Sequence, residues 1–126
     1  NQLNLQGLLK NVRFLGRKSG PELANWVASS SALIYVSYFE GFGLPVLEGM
    51  LSGVPVVTSN LTSIPEVGGD SVIYVDPFNE DSITTGMEKA MENNQELIKK
   101  ALLQAKKFSW DISALKVKDL LLNAKN

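Results

Sequence analysis

The chain has 126 residues, 44% of them hydrophobic and 20% charged, with a formal net charge of −1; that is enough for one domain with a core and lacks the basic field that nucleic-acid binding needs. It contains no cysteine and no histidine, which excludes disulfides, thiolate chemistry and the commonest general base and metal ligand. With no apolar run of bilayer length and no signal pattern over Asn1–Asn11, a cytoplasmic protein working through carboxylates, amides and hydroxyls is expected.

Taken in chain order, Leu3, Leu5, Leu8 and Leu9 fit the end of a helix, Val12–Leu15 reads as a short strand, and Gly16–Gly20 as the loop after it. Pro21 opens a helix to about Ser29 in which Leu23, Trp26 and Val27 share one apolar face, which places Trp26 in the core. Leu33–Val36 is an apolar run of the kind buried on both faces of a parallel sheet.

The stretch Glu40–Gly53, E-G-F-G-L-P-V-L-E-G-M-L-S-G, follows that strand directly and reads as a glycine turn entering a helix. Gly41 and Gly43 permit positive φ and a close backbone approach, and Pro45 suits the first helical position, where its missing N–H is not needed. The N–H groups of Phe42, Gly43, Leu44 and Val46 are then free at a helix N-terminus, a site for phosphate or another anion. Glu40 and Glu48 bracket this turn. A phosphate would repel both, so each is expected to lie beside it and accept hydrogen bonds from hydroxyls such as those of a vicinal diol, which together describe a sugar nucleotide. The structural alternative is an ordinary capped helix flanked by two solvated acids.

Gly53 is placed to end that helix as its C′ residue, and Val54–Thr58 is the next strand. Ser63, Pro65 and Glu66 read as an N-cap, an early helical proline and the partner of a capping box. Asn60-Leu61-Thr62 matches the N-glycosylation pattern and is read as idle. Val72–Val75 is a fourth strand, followed by a helix from Asp81 or Ser82 whose apolar face is Ile83, Met87, Ala90 and Met91. Asp76, Glu80 and Asp81 read as caps, with a metal site as the minor alternative and no metal assigned. After Asn93-Asn94 a helix carries Leu97, Ile98, Ala101, Leu102 and Ala105; Phe108 and Trp110 read as aromatic anchors, and Asp111 as the cap of a terminal helix over residues 111–126. Lys106, Lys107, Lys116 and Lys118 form a solvated face, with contact to an anionic membrane surface as the alternative. Strands alternating with helices make an α/β domain with a mainly parallel sheet.

In their order these motifs resemble the retaining family 4 glycosyltransferases (glycosyl transferases group 1). Glu40 and Glu48 with G-F-G-L-P between them resemble the E-x7-E signature, Val12–Gly16 the V-x-F-x-G strand, and Pro55–Val57 the following P-V-V strand. Ser63–Val67 with Gly69-Asp70 resembles S-x-P-E-V-x-G-D, while Tyr74–Pro77 and Phe108–Trp110 fall in the family's order. Ser37-Tyr38-Phe39 departs from the proline that often precedes the family's turn. The resemblance implies a Rossmann-like three-layer parallel sheet, the C-terminal half of a GT-B type enzyme of two domains. Residues 1–126 are then a partial nucleotide-sugar-binding domain that lacks front strands and the basic residues they carry.

By the same resemblance Glu40 is the catalytic residue, contacting donor-sugar hydroxyls, and Glu48 contacts the ribose diol. Gly41, Phe42, Gly43 and Leu44 face the diphosphate, and Lys18 lies beside the base, mainly through its backbone. The implied partners are a nucleoside diphosphate sugar and an N-terminal acceptor domain, with no cofactor and no metal. The P-E-V, Y-V-D-P and F-S-W segments are most similar to bacterial mannosyltransferases of polysaccharide synthesis. The chain alone is expected to hold part of a donor without turning it over. A non-catalytic nucleotide- or anion-binding module is the competing reading.

Overall fold

The computed structural model describes residues 11–124, so the helical reading of Leu3–Leu9 lies outside the described residues. The centre of the fold is the strand β2 (Val56–Ser59), all four of whose residues are buried. It pairs in parallel with β1 (Leu33–Tyr35) on one side and β3 (Ile73–Val75) on the other, in the order β1-β2-β3. The register sets Leu33 beside Val56, Tyr35 beside Thr58, and Thr58 beside Tyr74. Because alternate residues of a strand face opposite ways, Leu33, Tyr35, Val56 and Tyr74 lie on one face and Val57, Ile73 and Val75 on the other.

Each face has its own cover. The first carries α2 (Leu44–Leu51), α3 (Ile64–Gly68) and α5 (Gln95–Ala105), which bring Val46, Met50, Ile64, Val67, Ala101 and Ala105 into a common cluster with Val56. The second carries α4 (Glu80–Ala90), where Ile83 and Ala90 join Val57 and Val75. This is a three-layer α/β arrangement around a parallel sheet: the alternating pattern predicts the parallel sheet, and the family resemblance implies the three layers. On the first face α2 approaches the sheet closely at Gly49, where an added Cβ would stand 2.7 Å from both Leu33 Cδ2 and Val56 Cγ2. Gly53 ends α2 at φ +71°, the left-handed C′ position expected of it.

Local capping sets the start of three of the helices. In α1 (Gly20–Ala28) the Glu22 carboxylate accepts from both the N–H and the hydroxyl of Ser19, which holds the Glu22 carboxyl below its usual range. Asn79 Oδ1 accepts from the Ser82 N–H at 3.1 Å, so α4 starts at Glu80, just before the predicted Asp81 or Ser82. Ser109 caps α6 (Trp110–Asn123) by accepting from the Ile112 N–H, the role expected of Asp111.

Several expectations are corrected. Val12–Leu15 is not a strand: among the described residues nothing pairs with it, and Phe14 is 83% exposed. Alternation makes a strand only where a neighbour supplies the hydrogen bonds. Among the described residues β1 likewise has no strand on its outer side and is not buried on both faces, its Ile34 being 39% exposed. Trp26 is 41% exposed and lies under the Arg13 guanidinium, 5.4 Å from the ring centroid, instead of in the core. Of the two aromatic anchors, Phe108 meets Phe42 edge-on at 5.6 Å, while Trp110 is 85% exposed.

Candidate functional site

Parallel strands bring the segments that follow them to one edge. The loops after β1 (Val36–Gly43), β2 (Asn60–Ser63) and β3 (Asp76–Asn79) therefore gather at the carboxyl end of the sheet, where open α/β sheets bind ligands. Two contacts lace this edge together: the Ser59 hydroxyl donates to the Ser37 carbonyl at 2.6 Å, and the Tyr38 and Phe78 rings lie 4.9 Å apart.

The glycine turn enters α2 as its sequence predicts, with differences in detail. Gly43 is the N-cap at φ +95° and ψ +47°, a left-handed conformation that favours glycine, and an added Cβ would stand 2.5 Å from Ile64 Cδ1. Gly41, in contrast, does not use positive φ, and nothing lies within 4 Å of where its Cβ would be. Leu44 opens the helix and Pro45 is second rather than first. The Val46 N–H is not free as expected, because it donates to the Gly43 carbonyl at 3.0 Å. Among the described residues no acceptor takes the N–H groups of Phe42, Gly43 and Leu44, which leaves three donors at the positive end of an eight-residue helix.

Glu40 is held at three points. Its N–H donates to Thr62 Oγ1 at 3.1 Å, its carbonyl accepts from the Ser63 hydroxyl at 2.9 Å, and its Oε1 accepts from the Tyr35 hydroxyl at 2.5 Å. The carboxylate acts back on its donor. Hydrogen bonding to Glu40, then burial, then the Glu40 charge raise the Tyr35 hydroxyl above its ordinary value of 10.0. Thr62 takes up its position at φ +54°, costly for a β-branched residue. Ser63 stands at the N-cap of α3 without capping it, so the expected box with Glu66 does not form.

Glu48 lies exposed on α2, and among the described residues its side chain has no hydrogen bond or ion pair. Lys18 is half-buried on the loop just before α1, and no described hydrogen bond or ion pair joins it to the glycine turn. Glu40, Gly41, Phe42, Gly43 and Leu44 are therefore contiguous around one turn, with Glu48 on the helix that the turn opens. Of the three acids after β3, Asp76 accepts from the Phe78 N–H at 2.9 Å. Among the described residues no group of three or more acidic side chains is placed to hold a metal ion. Sequence reasoning assigned Thr62 to an idle motif, Ser63 to a cap and Tyr35 to strand packing. A hydroxyl-bearing pair in the loop after the next parallel strand was the available signal.

Comparison with known proteins adds a family. The sequence profile described as "Glycosyl transferases group 1" matches residues 1–108. The O-antigen chain mannosyltransferase B of Escherichia coli is 40% identical over 103 residues, covering 79% of this chain and 27% of that protein. The serotype-specific mannosyltransferase WbdA of Escherichia coli is 42% identical over 80 residues, covering 61% of this chain and 10% of its own length. The present chain thus spans about a quarter or less of these relatives. Among solved structures, sucrose-phosphate synthase from Thermosynechococcus elongatus superposes with a TM-score of 0.82 at 22% identity, over 97% of this chain and 34% of that one. It shares the fold.

Proposed function

Because the chain belongs to the glycosyl transferases group 1 family, we propose that it is the donor-binding part of a retaining, metal-independent hexosyltransferase. The reaction moves a mannosyl or similar hexosyl group from a nucleoside diphosphate sugar to an acceptor hydroxyl, with the acceptor held by a separate N-terminal domain. Mannose as the sugar, and polysaccharide synthesis as the setting, rest on the relatives' names. The observation that carries this reading is the juxtaposition at the head of α2. Three N–H groups that are unpaired among the described residues stand next to a carboxylate held by its own hydrogen bonds, at the carboxyl end of a parallel sheet.

The parts divide the work by charge. The N–H groups of Phe42, Gly43 and Leu44, with the helix dipole behind them, offset charge growing on the departing diphosphate. Carboxylates repel that diphosphate and suit hydroxyls instead, so Glu40 takes hydroxyls of the transferred sugar and Glu48, one turn into α2, takes the ribose diol. Lys18 borders the base. Among the described residues no helix is long and apolar enough to cross a membrane; we propose a cytoplasmic protein with at most peripheral membrane contact.

The two acids can be told apart in the longer protein that carries this domain. Glu48→Gln is expected to weaken nucleoside diphosphate and sugar nucleotide binding alike, each charged hydrogen bond being worth about 1.5–3 kcal/mol. Glu40→Gln is expected to leave nucleoside diphosphate affinity nearly unchanged while lowering transfer at saturating donor. Calorimetry and initial rates measure the two halves. Equal losses of diphosphate binding in both variants refute the division, and no effect in either refutes the site.

A further inference from the structure

Glu40 is held far more closely than a surface carboxylate requires. Both of its backbone polar groups and one side-chain oxygen are engaged, and all three partners are side chains from outside the glycine turn. Thr62 and Ser63 are consecutive residues of the loop after β2; Tyr35 is the last residue of β1, on the sheet face that α2 covers. Each partner gives something up locally. Thr62 adopts positive φ, where a β-branched residue is strained. Ser63 leaves α3 without a side-chain cap although it occupies the cap position. The Tyr35 hydroxyl is committed to a charged acceptor at 2.5 Å.

We propose that Tyr35, Thr62 and Ser63 are positioning residues that fix Glu40 in a single orientation for the donor sugar. Thr62 and Ser63 pin the peptide groups on either side of the Glu40 Cα, which sets the direction of its Cα–Cβ bond. Tyr35 fills Oε1 and so sets the side-chain rotamer. Oε2 remains the oxygen presented to a sugar hydroxyl, and the residue reaches the substrate already ordered instead of losing its freedom at the moment of reaction. The loop after β2 thereby sets the geometry of a group that belongs to the loop after β1. The proposal rests on the reading of Glu40 given above.

The experiment is a double-mutant cycle in the full-length protein. Release of nucleoside diphosphate is followed with guanosine diphosphate mannose, and with uridine and adenosine diphosphate sugars in parallel, in the presence of a mannose-terminated acceptor. Tyr35→Phe is expected to lower kcat about ten- to a hundredfold, the range for a lost charge-assisted hydrogen bond, with donor KM and nucleoside diphosphate affinity nearly unchanged. Thr62→Val and Ser63→Ala are expected to act in the same direction, with Thr62→Ser and Ser63→Thr restoring the rate. Tyr35→Phe combined with Glu40→Gln is expected to be no slower than Glu40→Gln alone, since Tyr35 acts through the carboxylate. Multiplied losses in the double variant overturn the proposal. So does an unchanged rate in Tyr35→Phe and Ser63→Ala while Glu40→Gln is impaired, a result that leaves the role of Glu40 standing. Full activity of Glu40→Gln removes both readings. Retained nucleoside diphosphate binding shows in every case that the domain is folded.

Discussion

Gly41 and Gly43 stand two positions apart in one turn and make opposite demands on it. An alanine at 43 has to hold φ +95° with its Cβ driven onto Ile64, so Gly43→Ala is expected to cost at least about 1–2 kcal/mol of stability, read from the thermal midpoint. An alanine at 41 meets nothing and needs no unusual φ. Gly41→Ala is expected to leave stability within about 0.5 kcal/mol of the parent while its methyl weakens diphosphate binding by calorimetry; unchanged binding would place the phosphate elsewhere. The sequence names both glycines, but only the path of the chain tells which is structural and which leaves room for a ligand. Tyr35 is a second case. The folded protein keeps its hydroxyl proton above the ordinary value of 10.0, so the stability from this linkage is complete below that pH and is lost as pH rises through the higher folded value. Tyr35→Phe is expected to flatten the alkaline limb of thermal stability. A limb of unchanged slope would assign it to Tyr74, also raised, by burial and then by the Asp70 charge.

At the scale of elements, β2 carries one polar atom that the fold leaves unpaired. Among the described residues the Thr58 hydroxyl is buried without a hydrogen-bond partner, between Tyr35 and Tyr74 in the register of the three strands. Thr58→Val keeps the shape and removes the unsatisfied group, so it is expected to raise stability by about 1 kcal/mol, seen as a higher urea midpoint with unchanged slope. A lower midpoint would show that the hydroxyl has a partner in solution. Elements that bury a face on the sheet were legible from periodicity: α2, α4 and α5, and the strands β2 and β3, lie within a few residues of their predicted places. Those that depend on a neighbour were not. Val12–Leu15 has the composition of a strand and, among the described residues, no paired strand, Trp26 has the spacing of a core residue and a cation for cover, and α6 keeps Leu120, Leu121 and Leu122 exposed. Capping residues shifted for a related reason. Asp, Asn and Ser compete for the same N–H groups, and the sequence around Asn79 and Ser109 offers more than one of them.

For the whole molecule, the family and the three-layer fold were legible because motif order extends over most of the chain, whereas the hydroxyl cradle of Glu40 was not, since it joins residues brought together only by the sheet. The chain spans 27% of the O-antigen chain mannosyltransferase B it matches, and we expect residues 1–126 alone to show no sugar transfer with donor and acceptor supplied. Measurable turnover by the isolated chain would mean that the acceptor is bound by this domain. The strand order β1-β2-β3, identical to the order along the chain, also bears on how the molecule assembles. Each parallel pairing among the three described strands closes only the crossover through α2 or α3, so none of the three waits for a segment distant in sequence before it can pair. These three strands can therefore pair in the order in which they leave the ribosome, with Glu40 becoming fixed once the loop after β2, which carries Thr62 and Ser63, has followed that strand.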